Sequence, residues 1–398
     1  MIGGGPAGTF AAIAAKQQAP AASVTLLTCE HCEPYEKPPL SKAVLLGRVA
    51  PADAPIAGPA GIAGHEVALE VLAHCTGLDR RDRAVVLEGG RRLSYDALVL
   101  ATGSTPRELP QLPIGMPRVH YLRTEADARA LKTALAESRR LLVVGGGLIG
   151  LEVAASAATL GVAVIVLEVA PRILARVCDE ETSATVHAAH ARRGVDIRVA
   201  ATVGAVTREV DGGIAVTTGD GDRIVADLVV VGTGSKPDDV MAASAGLATS
   251  DGIVVDEHCR TSDPAIFAAG DCARFPGPHG MVRLENWIHA QDQGTVAGRN
   301  AAGANDAYVA VPSFWSEQYD LYIQGVGWPI AGSTRVERRL ADNRTLVFEM
   351  SEGRLVYAMG INAQRDLAVA RRLIERKIPI DPTALVDPAQ SLNAMLKR

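Results

Sequence analysis

Two short segments of the chain combine three glycines at the spacing that suits phosphate binding. Residues 3–8 read GGGPAG and residues 145–150 read GGGLIG, and each leads into an alanine-rich stretch typical of a helix. A glycine turn before a helix presents free backbone N–H groups and a positive dipole end to a dinucleotide pyrophosphate. Two such segments predict two dinucleotide sites, and hence electron transfer between a flavin and a nicotinamide.

The second segment carries the fuller set of binding residues. Gly145 permits the tight turn, Gly147 lets the pyrophosphate approach the backbone, and Gly150 lets helix and strand pack closely. Glu168 follows an apolar strand and lies 23 residues after Gly145, where a carboxylate binds a ribose 2′-hydroxyl. Because a carboxylate repels a 2′-phosphate, the sequence predicts NADH rather than NADPH as the coenzyme.

The first segment repeats this pattern less completely. Gly3, Gly5 and Gly8 take the three glycine roles. The distal acid is less clear, because the strand predicted at residues 24–27 is followed by an acid only at Glu30. Either Glu30 binds the ribose of the first dinucleotide or this contact is lost.

The strand before the first glycine segment is short. Only Met1 and Ile2 precede Gly3, whereas about five apolar residues normally deliver such a loop. The sequence therefore predicts that the first domain lacks most of its first strand. Since each buried Val or Ile contributes about 1.5–3 kcal/mol, it also predicts that the chain binds FAD poorly.

Composition is typical of a soluble α/β protein. The chain has 398 residues, a net charge of −5, 48% hydrophobic residues and 21% charged residues, enough for two or three domains. No apolar run approaches the ~20 residues that span a bilayer, and no basic-then-apolar leader opens the sequence. We therefore expect a cytoplasmic protein without a membrane anchor, and no basic tract predicts binding to nucleic acid.

The six cysteines are scattered, which is typical of reduced cytoplasmic thiols. No four-cysteine cluster predicts an iron–sulfur centre. Cys29 and Cys32 form a CxxC, which suits a redox disulfide or half of a zinc site, or else consists of two incidental thiols in a loop. No second CxxC or histidine pair completes a metal site, so we expect no bound metal.

Apolar runs and glycine or proline breaks predict the elements that position these residues. Strands are predicted at residues 24–27, 95–103, 141–144, 162–167, 266–271, 345–350 and 354–359, and helices at residues 9–18, 148–160 and 365–377. The predicted organisation is an FAD-binding domain over 1–107 and 236–310, an NAD-binding domain over 108–235, and a C-terminal α+β interface domain over 311–398.

A further segment carries a family resemblance. Residues 34–42 (PYEKPPLSK) resemble a signature of the FAD-dependent reductases that feed ferredoxins in Rieske-type ring-hydroxylating dioxygenase and bacterial P450 systems, the putidaredoxin reductase and rubredoxin reductase-like family. Further matches follow in family order at residues 101–104 (ATGS), 121–124 (YLRT), 147–152 (GLIGLE), 269–273 (AGDCA), 283–287 (RLENW) and 314–319 (FWSEQY). The resemblance covers essentially the whole chain.

What the resemblance implies is an α/β fold of glutathione-reductase-like architecture, with two Rossmann-like domains and a C-terminal α+β domain. It also implies FAD and NADH as cofactors, and a separate [2Fe–2S] ferredoxin or rubredoxin that feeds an oxygenase in aromatic hydrocarbon catabolism. The chain would pass electrons from NADH through FAD to that partner.

The resemblance assigns catalytic roles to three residues. Lys42 would approach flavin N5 and pair with Glu152, unless it is a surface lysine after a proline turn. Trp315 matches a tryptophan near the isoalloxazine and the partner surface, unless it is a core aromatic. All three are therefore candidates for electron transfer.

The resemblance also assigns the FAD contacts. Asp271 would accept from the ribityl hydroxyls, Trp287 would begin a helix that faces flavin O2, and Arg123 would contact FAD. Cys29 falls where several members place the ribose-binding acid, which leaves that contact open. The remaining residues assigned by resemblance are Ala7, Cys75, Thr102, Gly103 and Gly270 for FAD, and Gly232 for NAD.

Charge is unevenly divided along the chain. Residues 335–398 hold 12 Lys and Arg against 8 Asp and Glu, a net of +4, so the preceding residues carry −9. Since the resemblance implies an acidic ferredoxin, we expect it to dock through a basic C-terminal face, unless the imbalance is ordinary surface charge. The arginines predicted to form this face are Arg335, Arg338, Arg339, Arg371 and Arg372.

Two other functions fit the same fold. A disulfide or peroxide reductase needs a redox cysteine near the flavin, and the chain has neither a CxxxxC after the first unit nor a cysteine at Lys42. An apoptosis-inducing-factor-like redox-sensing interaction protein would be reduced slowly and would hold a long-lived charge-transfer complex.

Overall fold

The structure divides the chain into two compact units. A computed structural model describes residues 1–210, 212–340 and 344–397. Residues 211, 341–343 and 398, which fall in the predicted NAD-binding and C-terminal domains, lie outside the described residues. The first unit comprises Met1–Pro39, Val49–Thr105 and Ser235–Ala310, and the second comprises Leu40–Arg48, Pro106–Gly234 and Val311–Arg398. The sequence-based division into three domains stays a prediction.

Both units contain helices and strands. The helices are α1 (Pro6–Gln18), α2 (Glu125–Ala136), α3 (Leu148–Thr159), α4 (Glu180–Ala191), α5 (Val240–Ser244), α6 (Trp287–Ala301), α7 (Gln364–Glu375), α8 (Pro382–Val386) and α9 (Leu392–Met395). Strands β1 to β13 are Thr25–Leu27, Ala68–Glu70, Cys75–Asp79, Ala84–Leu87, Arg92–Ser94, Leu98–Leu100, Ser104–Pro106, Val119–His120, Arg140–Val144, Ala163–Leu167, Asp196–Arg198, Val203–Arg208 and Ile214–Thr218. Strands β14 to β25 are Arg223–Ala226, Leu228–Val231, Ser235–Pro237, Ile253–Val254, Ile266–Ala268, Ala273–Gly277, Gly280–Val282, Ser313–Gln318, Leu321–Gly327, Thr334–Arg339, Thr345–Ser351 and Arg354–Ile361. Among the described residues, no helix is both long and apolar enough to cross a bilayer.

The first unit is built on a parallel sheet at the start of the chain. Ile2 forms parallel bridges to Leu27 of β1 on one side and to Leu100 of β6 on the other. Strands β2 and β18 pair in parallel outside these two strands. Ile2 therefore occupies the central place for which the sequence predicts a mostly missing strand. The expectation that FAD binds poorly stays a prediction.

Two helices of this unit cross with their backbones in contact. A Cβ added to Gly294 of α6 would collide with the carbonyl oxygen of Ala7 in α1, and one added to Gly298 would collide with that of Ala11. Only glycine lets two helix backbones approach so closely. The start of α1, which follows the first glycine segment, is thereby held against α6.

The second unit contains the other parallel sheet. Its order is β11-β10-β9-β15-β8, with every neighbouring pair parallel. Strand β9 enters the second glycine segment, and α3 leaves it toward β10. Since β9 and β15 carry buried residues almost throughout, they form the centre of a sheet of the dinucleotide-binding type.

The antiparallel sheet of the C-terminal segment completes the second unit. Its order is β21-β22-β25-β24-β23, and Leu367 and Leu373 of α7 are buried in the same core as Phe348 of β24. The preceding segment Leu40–Arg48 joins this unit through Leu45, which is buried in one core with Leu151 of α3. The predicted α/β fold with a C-terminal α+β module is confirmed.

Most element boundaries lie close to those predicted. One difference is α1, which begins at Pro6 rather than at residue 9. Proline is favoured at the first helical position because its missing N–H needs no partner there. The glycine segment therefore leads directly into the helix, and Ala7 belongs to its first turn.

Candidate nucleotide sites and the buried ion pair

The two glycine segments adopt nearly the same geometry. Gly3 and Gly145 have φ of 111° and 112°, which only glycine adopts freely. A Cβ on Gly8 would collide with the carbonyl of Gly3, and one on Gly150 would collide with that of Gly145. These four glycines are therefore required by the turn itself and by the close packing of strand and helix.

The middle glycine of each segment faces open space. A Cβ on Gly5 or on Gly147 would meet nothing within 4 Å. Both residues are N-caps, of α1 and α3 respectively, and neither helix has a side-chain cap. Uncapped N–H groups beside open space fit the pyrophosphate of FAD at the first segment and of NADH at the second.

Glu168 lies against the second glycine segment. Its carboxylate accepts hydrogen bonds from the backbone N–H groups of Gly146, at 2.6 Å, and Ala170, at 2.7 Å. These bonds hold a half-buried carboxylate at the end of β10, beside the loop. Gly232 lies on the other side, where its carbonyl oxygen would collide with a Cβ on Gly145. The structure thus brings the predicted NAD residues together, while their contact with NADH stays a prediction.

The first segment has a neutral residue at the position that Glu168 occupies in the second. The Gly3 N–H donates to the carbonyl of Leu27, as the Gly145 N–H donates to that of Leu167, so Thr28 corresponds to Glu168. The Thr28 hydroxyl lies 2.7 Å from a Cβ built on Gly4. A hydroxyl therefore stands where the second site has a carboxylate.

Glu30 lies two residues further along and already has two partners. It accepts from the Tyr35 hydroxyl at 2.5 Å and forms an ion pair with Lys37 at 2.7 Å. Cys29 between them is exposed. The role of Glu30 in binding the FAD ribose stays a prediction.

Asp271 lies close to the first glycine segment. Its carboxylate accepts from the Ser104 hydroxyl at 2.9 Å. The preceding Gly270 has φ of 81°, and a Cβ there would lie 2.8 Å from the Cβ of Ala7. The buried Gln293 accepts from the Gly270 N–H at 2.8 Å. A partly exposed carboxylate fixed beside the loop fits an acceptor for FAD hydroxyls.

Trp287 begins α6, as the resemblance implies. The Asn286 side chain caps this helix by accepting from the His289 N–H at 2.8 Å. The Trp287 ring meets Phe10 edge-on at 6.0 Å. Burial raises the pKa of the nearby Glu36 carboxyl, while its hydrogen bond with Trp287 acts in the opposite sense.

Of the remaining residues predicted to bind FAD, Cys75, Thr102 and Gly103 belong to the first unit and Arg123 to the second. Thr102 donates to the carbonyl of Asp238, and Gly103 has φ of 75°. Cys75 lies in β3, where burial raises the pKa of its thiol to about 11 and so disfavours the reactive thiolate. Arg123 belongs to the second unit, where its backbone N–H donates to Asp127 before α2.

A buried ion pair joins two distant segments of the second unit. The Lys42 ammonium lies 2.9 Å from Oε2 of Glu152, and the side chains are 15% and 5% exposed. The Ser41 hydroxyl donates to the same oxygen, and the Ser316 hydroxyl donates to Oε1 at 2.7 Å. The predicted pairing of Lys42 with Glu152 is therefore present, and Glu152 receives three donors.

The two serines were not assigned a role from sequence. Ser41 and Ser316 both stand inside motifs quoted for the resemblance, beside Lys42 and Trp315. Each serine adjoins a residue to which the resemblance assigns a role, and this adjacency is the only feature of the sequence that indicates a function for it. Trp315 itself is half-buried in β21, where it pairs with Gln324 of β22. Its role in electron transfer stays a prediction.

The predicted basic docking face needs correction. Arg338 is buried, 3% exposed, and donates to the carbonyl of Gln390, so it cannot meet a partner protein. Arg335 forms ion pairs with Asp179 at 2.9 Å and Glu337 at 3.0 Å. Since β23 alternates, Arg338 shares the inner face with Val336.

Arg371 is also engaged, in an ion pair with Glu375 at 2.7 Å. Arg339 and Arg372 remain exposed. The charge imbalance is thus partly compensated inside the second unit.

The described cysteines are all free thiols. Cys29 is exposed and Cys32 is half-buried. Across residues 1–210, 212–340 and 344–397, no group of three or more His, Cys, Asp or Glu side chains is arranged to hold a metal ion.

Two family profiles, two similar sequences and a solved structure all match this chain to pyridine nucleotide-dependent reductases. Residues 1–294 match the profile of the pyridine nucleotide-disulphide oxidoreductases, and residues 313–396 match a reductase C-terminal domain. The chain is 40% identical to the ferredoxin–NAD(+) reductase component of the anthranilate 1,2-dioxygenase system of Burkholderia cepacia, covering 100% of this chain and 98% of that one. It is 36% identical to rhodocoxin reductase of Rhodococcus erythropolis, covering 100% and 94%. The crystal structure of a covalent putidaredoxin reductase–putidaredoxin complex superposes with a TM-score of 0.92 at 34% identity, covering 100% and 97%.

Proposed function

Because the chain belongs to the pyridine nucleotide-disulphide oxidoreductase family, we propose that it is an NADH-dependent flavoprotein that passes electrons through FAD to a separate ferredoxin-type iron–sulfur protein, which feeds an oxygenase. The observation that carries this proposal is the pair of matched glycine segments, each with an uncapped helix N-terminus facing open space. They supply one site for each dinucleotide. The reductase components among its relatives support the choice of acceptor.

The residues of the chain bind and orient the reactants. When bound, FAD accepts electrons in pairs and releases them singly, which suits a two-electron donor and a one-electron acceptor. The N-terminus of α1 binds the FAD pyrophosphate and Asp271 its hydroxyl groups, while the N-terminus of α3 binds NADH. Lys42 supplies a cation whose position Glu152 fixes, and this charge favours the electron-rich reduced cofactor. NADH as donor also supports a cytoplasmic location.

The decisive experiment is reduction of a panel of [2Fe–2S] ferredoxins and a rubredoxin by NADH in the presence of the purified protein. We expect rapid multiple turnover with at least one ferredoxin and little with NADPH. Activity with disulfides or peroxides but with none of the ferredoxins would contradict the proposal. Slow reduction by NADH with a persistent charge-transfer band would instead favour a redox-sensing protein.

Replacing Glu168 should change the choice of coenzyme. We expect Glu168→Ala to narrow the preference for NADH over NADPH by about tenfold to a hundredfold, because a hydrogen bond to a charged group is worth about 1.5–3 kcal/mol. The measurement is kcat/KM for both coenzymes, with Glu137→Ala, at the exposed end of α2, as the control. Equal kcat/KM for both coenzymes in the wild type would show that Glu168 does not discriminate.

The exposed arginines of α7 are the surface on which we expect an acidic ferredoxin to dock. Arg365, Arg372 and Arg376 are exposed and recur at helical spacing along one side of α7 and its C-terminal end. Reversing Arg372 and Arg376 to Glu should raise the KM for ferredoxin about threefold to tenfold, and ferredoxin reduction by the wild type should slow as salt rises.

The control is Arg208→Glu in β12, which reverses an exposed charge on a different element. Reduction of a small neutral quinone should stay unchanged in all variants. If the α7 reversal leaves the KM for ferredoxin unchanged, this surface is not the docking site.

A further inference from the structure

A buried chain of hydrogen bonds continues from Glu152 to α4. The Ser316 hydroxyl, which contacts Glu152, lies 3.0 Å from Nε2 of Gln318. Oε1 of Gln318 lies 2.8 Å from Nε2 of His190, and the Tyr319 hydroxyl lies 3.3 Å from Nδ1 of that ring. Ser316, Gln318 and His190 are at most 1% exposed. These side chains are shielded from bulk solvent, so their polar atoms are paired with one another.

The chemistry of Glu152 determines which group donates and which accepts in each of these hydrogen bonds. An ionised Glu152 can only accept, so the Ser316 hydroxyl proton must point to it. The Ser316 oxygen is then the acceptor for the Gln318 amide N–H, which leaves the Gln318 carbonyl to accept from His190. His190 must therefore carry its proton on Nε2, and Nδ1 accepts from Tyr319. Every donor in the chain points toward Glu152.

The opposite arrangement would leave Glu152 without this donor. If the Gln318 amide were turned over, its carbonyl would face Ser316 and would take the serine proton. The imidazole would then have to accept at Nε2. The tautomer of His190 is thus linked, through two intermediate groups, to whether Ser316 donates to Glu152.

From this geometry we propose that Gln318 and His190 are positioning residues, which orient the Ser316 hydroxyl onto Glu152 and so fix the carboxylate that pairs with Lys42. The inference rests on the proposed function in that this pair serves electron transfer. Neither residue needs to touch a cofactor or substrate. Both act through Ser316.

The surroundings of His190 keep its ring neutral. Burial lowers the pKa of His190, and the positive charge of Arg193 and the neighbouring His187 lower it further, while the hydrogen bond with Gln318 acts in the opposite sense. Arg193 itself stacks over the Tyr319 ring at 4.2 Å and pairs with Asp320. A neutral ring has one N–H and one acceptor nitrogen, and these hydrogen bonds require His190 to donate at Nε2 and to accept at Nδ1.

The first test measures the tautomer of His190 in the full-chain holoenzyme by 15N NMR, between about pH 6 and 8. The signal is assigned by its loss in His190→Asn. We expect the wild type to carry the proton on Nε2, and Ser316→Ala to give a mixture of tautomers. Ser183→Ala removes another buried hydroxyl, from the same helix as His190, and should leave the signal as in the wild type. A proton on Nδ1 in the wild type, or an unchanged signal in Ser316→Ala, would overturn the proposal.

The second test is a double-mutant cycle on the rate of FAD reduction by NADH. Gln318→Met should lower this rate about tenfold without changing the KM for NADH, and should add almost nothing on a Ser316→Ala background. Full additivity of the two substitutions would assign Gln318 a merely structural role and overturn the proposal. The proposed function fails separately, if wild-type protein reduces no ferredoxin while the His190 tautomers still respond to Ser316→Ala.

Discussion

Lys42→Met is expected to slow the reduction of bound FAD by NADH at least about tenfold and to lower the reduction potential of the flavin. The lysine supplies a positive charge in a buried place, and methionine replaces it with an apolar chain of similar length. FAD content should stay at the wild-type level, because the glycine segment that we propose for its pyrophosphate, at the start of α1, keeps all its residues in this variant. The measurements are rapid-reaction traces and a potentiometric titration of the flavin.

The same substitution should also reduce stability, and a second variant separates the two effects. Removing one partner of a buried ion pair costs about 3–5 kcal/mol, whereas removing both is far less costly. We expect the lower end for Lys42→Met, because the Ser41 and Ser316 hydroxyls still donate to Glu152. Lys42→Met combined with Glu152→Leu should regain stability without regaining the rate.

Lys132→Met, at an exposed position of α2, is the control for loss of a lysine. If Lys42→Met reduces and reoxidises its flavin as fast as this control does, the ion pair has no part in electron transfer.

Gly147→Val is expected to reduce NADH affinity by at least about a hundredfold, or roughly 3 kcal/mol, with little change in stability. The residue has φ of −81° and ψ of −177°, which valine adopts easily, and its Cβ would enter open space. That space is where we place the NADH pyrophosphate. Gly5→Val should have the corresponding effect on FAD retention.

Gly150→Val provides the contrast within the same segment. Its Cβ would collide with the carbonyl of Gly145, so we expect a loss of unfolding free energy as well as of NADH binding. Calorimetry and titration with NADH distinguish the two glycines. Undiminished NADH affinity in Gly147→Val would show that the coenzyme does not use this loop.

Features that depend on neighbouring residues were predictable from sequence. The two glycine segments, the helices that leave them and the strand that enters the second segment follow local rules of turn geometry and apolar spacing, and all are present. The start of α1 differs by three residues because Pro6 is the first helical residue.

Features that depend on tertiary contacts were only partly predictable. The Lys42–Glu152 pair followed from resemblance, but the serine donors come from positions 111 and 164 residues away from Glu152 along the chain. No local sequence pattern predicts contacts between residues so far apart in the sequence. Arg338 could have been assigned correctly, since the alternation of β23 places it with Val336 on the inner face.

Because we place the FAD pyrophosphate at the start of α1, the crossing of α1 and α6 should make FAD retention sensitive to the packing of these two helices. With backbone against backbone at Gly294 and Gly298, there is no layer of side chains to absorb a displacement. A shift of α6 is therefore transmitted to Ala7, in the first turn of α1, where we propose that the FAD pyrophosphate binds. Any treatment that loosens the first unit should release flavin before the chain unfolds, and flavin fluorescence would record that loosening directly.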